Sequence, residues 1–252
     1  MSCVRIAVGE RTASVSALTP TVFRISFAES GVSFAVNPGG DDARILDKLS
    51  LLEHLPNCPL KCAEKKMGTR TLETESVRIV VNEENFALSW DAKVDDNTWT
   101  RVAQDRPIDP LIWTFDGKVR HYQVLEEDDA FFGLGECSGN LDRLGRRIRL
   151  APTDAMGYDA ESSQPLYKNI PFFIKKKRGG GEAPAVGIFY DTPSDCIFDF
   201  GCERSNYFGR YRYAEVREFS FVLNGFRLGS PFCVHFSCLM KKTIHLGACK
   251  IV

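Results

Sequence analysis

The sequence predicts an all-β fold, arranged as an antiparallel sandwich or barrel, and three observations favour it. Short segments rich in Val, Ile, Phe and Tyr recur along the 252-residue chain, and several of them alternate apolar with polar residues. Turn-forming residues separate successive segments, as they do where neighbouring strands pair antiparallel. Helical periodicity is confined to one short segment. The length accommodates one large β domain or two ordinary domains.

Seven segments have the composition of β-strands. They are VRIAV (4–8), VFRISFA (22–28), SVRIVV (76–81), FALSW (86–90), KVRHYQV (118–124), AVGIFY (185–190) and CIFDF (196–200). The four residues from Asn82 to Asn85 are turn formers, so we expect residues 76–90 to form a β-hairpin.

The helical candidate covers residues 41–52. Its apolar residues Ile45, Leu49 and Leu52 fall on one helical face, and an aspartate at its start can cap the amino terminus. We interpret this segment as a surface excursion from a β-structure, because no second helical pattern accompanies it.

Composition describes an ordinary globular protein without a strongly charged partner. The net charge is −1 and charged residues make up 26% of the chain, so neither nucleic acid nor an acidic ligand is implied. Apolar runs are too short to span a membrane, and Arg5, Glu10 and Arg11 interrupt the stretch where a signal peptide would be apolar. We therefore expect a cytoplasmic protein that binds neither membrane nor nucleic acid.

Nine scattered cysteines predict reduced, largely buried thiols, including those of Cys3 and Cys196. One cluster near the carboxyl terminus has the residue types that bind zinc. Its members are Cys233, His235, Cys238, His245 and Cys249. Their spacing matches none of the paired-ligand patterns of zinc sites, so we predict no metal and no cofactor.

Two glycine-containing stretches resemble phosphate-binding motifs only in part. GLGECSG (133–139) has Ser138 where a dinucleotide-binding loop has its third glycine, and no helical pattern follows it. KKKRGGGE (175–182) lies between two strand-like segments. We therefore assign the first stretch to turns and the second to a solvated hairpin tip.

Residues 219–252 differ in composition from the rest of the chain. They contain no Asp or Glu, whereas the whole chain has 33, so a uniform composition would put about four acids there. Either this tail is a buried terminal strand pair, or it is not the native continuation of the domain. We accordingly divide the chain into a β domain, residues 1–218, and a divergent tail, residues 219–252.

Residues 131–174 contain a sequence pattern that is longer and more specific than the two glycine-containing stretches. They read FFGLGECSGNLDRLGRRIRLAPTDAMGYDAESSQPLYKNIPFFI. This stretch closely resembles the end of the N-terminal β-sandwich domain of glycoside hydrolase family 31, the α-glucosidase family. Weaker agreement on both sides extends the resemblance to about residues 1–217. The resemblance implies an antiparallel β-sandwich of the galactose-mutarotase-like kind.

The resemblance also implies a parent enzyme that is a retaining hydrolase of α-glucosides. In the family, the catalytic Asp pair lies on a (β/α)8 barrel that follows the sandwich, and retention needs two carboxylates about 5 Å apart. The chain contains neither the Trp-Ile-Asp-Met-Asn-Glu type signature of the nucleophile nor about 250 further residues for a barrel. We expect a domain truncated before the barrel, without catalytic residues and inactive alone. Its expected partners are an α-glucoside or oligosaccharide and a family 31 barrel.

The resemblance assigns the substrate-contacting loop of the sandwich to APTDAMGYD, residues 151–159. Asp154 is the matching carboxylate, and Tyr158 is a secondary candidate that can stack on a sugar. The alternative is that Asp154 caps a turn while Tyr158 and Tyr167 pack against the sandwich. The family often has Trp-Asn just before this Thr-Asp, and here Ala151 and Pro152 replace them, which alters the wall of the subsite.

The sequence leaves two further functions open. The chain could be a stand-alone carbohydrate-binding module, or a mutarotase-like sugar epimerase, since the fold is shared. Mutarotation requires a histidine and a carboxylate that converge on one sugar. His54 and His121 have no recognisable partner motif in the sequence.

Overall fold

A computed structural model describes most of the chain and shows a fold made of β-strands. The described residues are 2–29, 58–66, 68–151, 153–179, 184–192, 195–203, 211–216 and 220–226. Every helix or strand assigned within them is a strand, so the all-β prediction is confirmed. The predicted helix over residues 41–52, His54 and the cysteine and histidine cluster of residues 233–249 lie outside the described residues. No helix able to cross a membrane occurs in the described part.

Seventeen strands are present in the described part of the chain. They are β1 (Ser2–Val8), β2 (Arg11–Ala17), β3 (Val22–Glu29), β4 (Lys61–Lys66), β5 (Thr69–Glu73), β6 (Val77–Asn82), β7 (Leu88–Lys93), β8 (Trp99–Gln104), β9 (Leu111–Trp113), β10 (Val119–Val124), β11 (Asp129–Gly135), β12 (Arg147–Leu150), β13 (Asn169–Lys177), β14 (Ala185–Tyr190), β15 (Cys196–Asp199), β16 (Tyr211–Val216) and β17 (Ser220–Phe226). Each of the seven predicted segments coincides with a strand in whole or in part.

The strands form three antiparallel sheets. The large sheet has the order β1-β2-β3-β17-β14-β13-β11, the first small sheet β4-β5-β6-β7-β8, and the second small sheet β12-β15-β16-β10-β9. The predicted hairpin over residues 76–90 is confirmed, because β6 and β7 pair antiparallel with Val81 opposite Leu88. The arrangement therefore has three sheets, where a simple sandwich has two.

The large sheet packs against both small sheets through aromatic side chains. Phe23 of β3 meets Trp90 of β7 with the ring centroids 5.9 Å apart, and Phe173 of β13 meets Phe198 of β15 at the same centroid distance. All four side chains are buried in one continuous hydrophobic cluster that draws on the three sheets. A shared core explains why β6 alternates buried with half-buried residues, whereas β14 is buried throughout.

Strand β17 lies inside the predicted tail and pairs on both sides. Its backbone is hydrogen-bonded to β3 and to β14, with Leu223 opposite Phe23 on one side and Ile188 on the other. Residues 220–226 are therefore paired within the large sheet. The boundary at residue 218 and the divergent origin of the tail stay predictions, since residues 227–252 lie outside the described part.

The six described cysteines are free thiols, but they are not uniformly buried. Cys58 and Cys196 are buried, whereas Cys3, Cys62 and Cys202 are exposed. Burial raises the pKa of Cys196 to about 12, because the thiolate loses its hydration in the core. The expectation of a buried thiol is confirmed for Cys196 and wrong for Cys3, which lies in β1 at an end of the large sheet.

Candidate functional site

The predicted substrate loop connects two different sheets. It leaves β12 of the second small sheet at Leu150 and enters β13 of the large sheet at Asn169. The Asn169 side-chain amide donates to the carbonyl oxygens of Ala151, at 2.8 Å, and Leu166, at 3.1 Å. One side chain thus holds the two ends of the loop together, and the residues between them project from the joined ends.

Asp154 lies on this loop with its carboxylate exposed to solvent. Its Oδ1 atom accepts a hydrogen bond from the Tyr167 hydroxyl group at 3.0 Å. Among the described residues, no backbone amide donates to this carboxylate, so the structure does not support the alternative that Asp154 caps a turn. Oδ2 and the remaining lone pairs of Oδ1 face water and can accept hydrogen bonds from a ligand.

Tyr158 and Tyr167 lie on the same loop and are exposed to solvent. Their exposed fractions are 57% and 46%, so about half of each side chain can contact a ligand. The pKa of Tyr167 is raised, above all by its hydrogen bond to Asp154. The loop therefore joins one predicted site residue, Asp154, to Tyr167 by a hydrogen bond and exposes the other, Tyr158, to solvent.

Asp159, which follows in the sequence, has a structural role. Its Oδ1 atom accepts hydrogen bonds from the backbone amides of Glu161, at 2.8 Å, and Ser162, at 2.9 Å. These hydrogen bonds lower the pKa of Asp159, because they stabilise its ionised form. Asp159 is thus the turn-capping carboxylate of the loop, whereas Asp154 accepts its hydrogen bond from a side-chain hydroxyl group.

The base of the site is fixed to the end of β11. The Glu136 amide donates to the Lys168 carbonyl oxygen at 2.9 Å, and the Lys168 ammonium group lies 2.8 Å from Glu136 Oε1. Gly135 has a φ of +77°, and a Cβ atom there would overlap the Lys168 carbonyl oxygen. This close approach explains the second glycine of GLGECSG. The assignment of this stretch to turns is wrong for Gly133 and Gly135, which lie in an irregular part of β11.

Arg147 also has a structural role in the fold. Its guanidinium group pairs with Asp199 Oδ2 at 2.8 Å, and a second nitrogen lies 3.6 Å from Glu203. The hydrogen bond to Asp199 raises the pKa of Arg147. Both partners belong to β15 or its exit, so Arg147 joins β12 to β15 and its charge is compensated within the protein.

The basic hairpin tip is neutralised by acids of the preceding turn. Strands β13 and β14 pair antiparallel, which confirms the predicted hairpin. The prediction of a solvated tip is wrong for Lys175, which is buried within β13, and residues 180–182 lie outside the described part. The Lys177 ammonium group lies 2.6 Å from Asp128 and 3.2 Å from Asp129, and it also contacts Glu126. These three carboxylates lie within 4.8 Å of one another, and Lys177 satisfies the charge that a cation would otherwise balance.

His121 has a carboxylate partner that the sequence did not reveal. Its Nε2 atom lies 2.9 Å from Asp105 Oδ1, and its Nδ1 atom lies 2.8 Å from the Tyr190 hydroxyl group. His121 and Asp105 are 1% and 2% exposed, so neither reaches a sugar. A mutarotase-like reaction at this pair is therefore excluded by burial, although the residue types fit.

The chain resembles known proteins over most of its length. Residues 12–199 match the family model described as the glycosyl hydrolase 31 N-terminal galactose mutarotase-like domain. An α-glucosidase 2 from Bacillus thermoamyloliquefaciens is 31% identical over 97 residues, which are 38% of this chain and 12% of that protein. An α-glucosidase from Saccharolobus solfataricus is 38% identical over 86 residues, which are 34% of this chain and 12% of that protein.

A solved structure extends the likeness to the fold. A mutant glycoside hydrolase family 31 dextranase from Flavobacterium johnsoniae, in complex with isomaltotriose, superposes with a TM-score of 0.67 at 25% identity. The match covers 91% of this chain and 26% of the dextranase. The chain thus spans about a quarter of that enzyme and about an eighth of each curated α-glucosidase. It belongs to the family of glycosyl hydrolase 31 N-terminal galactose mutarotase-like domains.

Proposed function

We propose that this chain supplies a substrate-binding wall to a family 31 α-glucosidase, and that Asp154 is the carboxylate that binds the sugar. The observation on which the proposal rests is the exposed Asp154 carboxylate, which accepts a hydrogen bond from Tyr167 on a loop that also exposes Tyr158. Its context in the family supports the proposal, since matched relatives are α-glucosidases and a matched dextranase was solved with isomaltotriose.

The chemistry of the loop suits a neutral oligosaccharide. An ionised carboxylate accepts hydrogen bonds from two neighbouring sugar hydroxyl groups, and these charge-assisted bonds are stronger than neutral ones. The exposed Tyr158 ring offers an apolar face on which a pyranose ring can stack. An open loop encloses little of its ligand, whereas small-ligand sites are concave. A catalytic barrel would provide the opposite wall and the two carboxylates that perform retaining hydrolysis.

The three sheets can be grouped into two layers, which is the arrangement that the proposed role implies. We propose that the two small sheets together form the layer that faces the large sheet, which completes a galactose-mutarotase-like β-sandwich. The core aromatic pairs support this arrangement, since Phe23 and Phe173 of the large sheet each contact a different small sheet. The proposed compartment is the cytoplasm, and the six free thiols are consistent with such a reducing environment.

The test is a titration of the ¹⁵N-labelled chain with maltotriose and, separately, isomaltotriose. We expect amide shifts confined to residues 153–159, with a Kd on the order of millimolar or weaker, about 4 kcal/mol. Asp154→Asn should remove most of this response, because it loses a charge-assisted hydrogen bond of about 1.5 to 3 kcal/mol. Asp96→Asn is the matched control, since Asp96 is an exposed carboxylate of the β7–β8 turn, in the first small sheet.

The outcome of the titration distinguishes the proposed function from a stand-alone carbohydrate-binding module. A response that is identical in Asp154→Asn and the wild-type chain contradicts the proposal. Micromolar binding by the chain alone would instead make it a self-sufficient carbohydrate-binding module. When a family 31 barrel is joined downstream, Asp154→Ala should cost about 1.5 to 3 kcal/mol in kcat/KM with little change in Tm.

A further inference from the structure

Tyr167 connects the last part of the loop to Asp154, near its beginning. The phenolic hydroxyl group and Asp154 Oδ1 are 3.0 Å apart, although thirteen residues separate the two in the sequence. Tyr167 lies two residues before β13, whereas Asp154 lies in a part of the loop without regular secondary structure. The hydrogen bond therefore joins a position beside a strand to one that the backbone fixes less firmly.

Two hydrogen bonds join the residue after Tyr167 to Glu136, which directly follows β11 of the large sheet. The Lys168 carbonyl oxygen accepts from the Glu136 amide at 2.9 Å, and the Lys168 amide donates to Glu136 Oε2 at 3.3 Å. The absent side chain of Gly135 leaves the room for this contact. The backbone that presents the Tyr167 ring is thus fixed before any ligand arrives.

We infer that Tyr167 is the positioning residue of the proposed sugar site, and that it orients the Asp154 carboxylate towards two neighbouring hydroxyl groups of a pyranose. The inference rests on the proposed function. Tyr167 donates its only hydroxyl proton to Oδ1, which leaves Oδ2 for one sugar hydroxyl group and a free lone pair of Oδ1 for the next. The Tyr167 oxygen keeps acceptor capacity of its own for a third hydroxyl group of the ligand.

The physical gain is preorganisation. A free aspartate on an exposed loop loses rotamer freedom when it binds a ligand, and this loss reduces affinity. The hydrogen bond from Tyr167 restricts the rotamers of Asp154 in the unliganded protein, so the carboxylate is already oriented when a ligand binds. The raised pKa of Tyr167 agrees with this geometry, because the phenol gives up its proton less readily while it donates to Asp154.

Two variants separate the positioning role from a general effect on folding. Tyr167→Phe keeps the ring and removes only the hydroxyl group, while Tyr213→Phe removes a hydroxyl group from a buried ring on β16. In the ¹⁵N titration, we expect Tyr167→Phe to reduce the initial slope of amide chemical shift against maltotriose concentration roughly three- to tenfold. This is the effect of one lost hydrogen bond. Tyr213→Phe should leave that response unchanged, and thermal unfolding of both variants should follow that of the wild-type chain within a few degrees.

A spectroscopic measurement tests the hydrogen bond without any ligand. In the chain labelled with ¹³C at the tyrosine Cζ atoms, Asp154→Asn should lower the pKa of Tyr167 towards that of an ordinary tyrosine and leave that of Tyr213 unchanged. An unchanged Tyr167 titration would mean that the hydroxyl group does not donate to Asp154, which overturns the inference.

The ligand titration distinguishes this inference from the proposed function. If the wild-type chain and Tyr167→Phe respond equally to maltotriose while Asp154→Asn does not respond, the positioning role is wrong and the proposed function stands. If the wild-type chain gives no response to either trisaccharide, the proposed function is contradicted, and the positioning role falls with it.

Discussion

Asp105 and His121 form a buried hydrogen bond that joins the three sheets of the fold. Asp105 follows β8 and accepts from the Leu88 amide of β7 at 3.1 Å, while His121 belongs to β10 and lies 2.8 Å from the Tyr190 hydroxyl group of β14. The Gln123 side chain also donates to Asp105, at 2.8 Å. One carboxylate therefore satisfies three buried donors, and its role is to hold the layers together.

Asp105→Ala should consequently destabilise the protein. Removal of the carboxylate leaves the His121 ring nitrogen, the Gln123 amide and the Leu88 amide without their acceptor, and we expect a loss of about 2 to 4 kcal/mol in the free energy of unfolding. Urea denaturation followed by circular dichroism measures this loss. Asp96→Ala should change stability by less than about 0.5 kcal/mol, because Asp96 is exposed. Equal effects of the two substitutions would contradict the joining role of Asp105.

Gly135→Ala should destabilise the protein more than the same change at Gly117. The two glycines have nearly equal φ angles, +77° and +79°, but only at Gly135 does a Cβ atom meet another group, the Lys168 carbonyl oxygen. Gly117→Ala should cost about 1 kcal/mol for the left-handed conformation alone. Gly135→Ala should cost at least about 2 kcal/mol, since β11 and residue 168 must also move apart. Thermal unfolding compares the pair, and similar values would show that the contact is loose.

The 252-residue chain should not hydrolyse α-glucosides on its own. Retaining hydrolysis needs two carboxylates about 5 Å apart at the scissile bond, and the sequence lacks the nucleophile signature of the family. Release of p-nitrophenol from p-nitrophenyl α-glucoside, and of glucose from maltose, should not exceed a buffer control. Turnover that an Asp→Asn change within this chain abolishes would refute the prediction.

Limited proteolysis should define where the domain ends. The acid-free composition of residues 219–252 predicts that the tail is cleaved before the rest of the chain. The pairing of β17 with β3 and β14 predicts that cleavage spares residues 220–226. Mass spectrometry of the earliest large fragment identifies its carboxyl terminus. A fragment that ends near residue 218 would show that β17 opens easily, and one that retains the whole tail would make it part of the domain.

The sequence predicted seven strands that are rich in β-branched or aromatic residues, but these do not include β11 and β13, which contribute Phe131 and Phe173 to the core. The β14 segment AVGIFY is buried throughout, and β6 alternates buried with half-buried residues. Sequence periodicity did not identify β4, whose segment KCAEKK contains three lysines and a glutamate, because strand pairing there depends on its neighbour β5. Local composition is a weak guide where a strand lies at the edge of a sheet.

The candidate site was predictable in part. The identity of its residues follows from the family motif, whereas the contact between Asp154 and Tyr167 depends on the folded loop. Asp154 and Tyr158 were found by resemblance to a family motif, and no feature of composition or periodicity distinguishes them. Tyr167 lies in the Pro-Leu-Tyr-Lys element of the same resemblance, but its contact with Asp154 depends on how the loop folds back. The Asp105 partner of His121 was missed for a similar reason, since the contact forms only when the chain after β8 folds against β10.

The central position of β17 has a consequence for biosynthesis. Strand β3 is made early and β14 much later, yet neither can complete its pairing until residues 220–226 have left the ribosome. Until then, β3 and β14 expose unpaired backbone edges, to which another nascent chain can add. Closure of the large sheet also joins segments that are far apart in sequence, which slows folding. Translation speed and chaperone supply should therefore govern the soluble yield of this domain more than its final stability does.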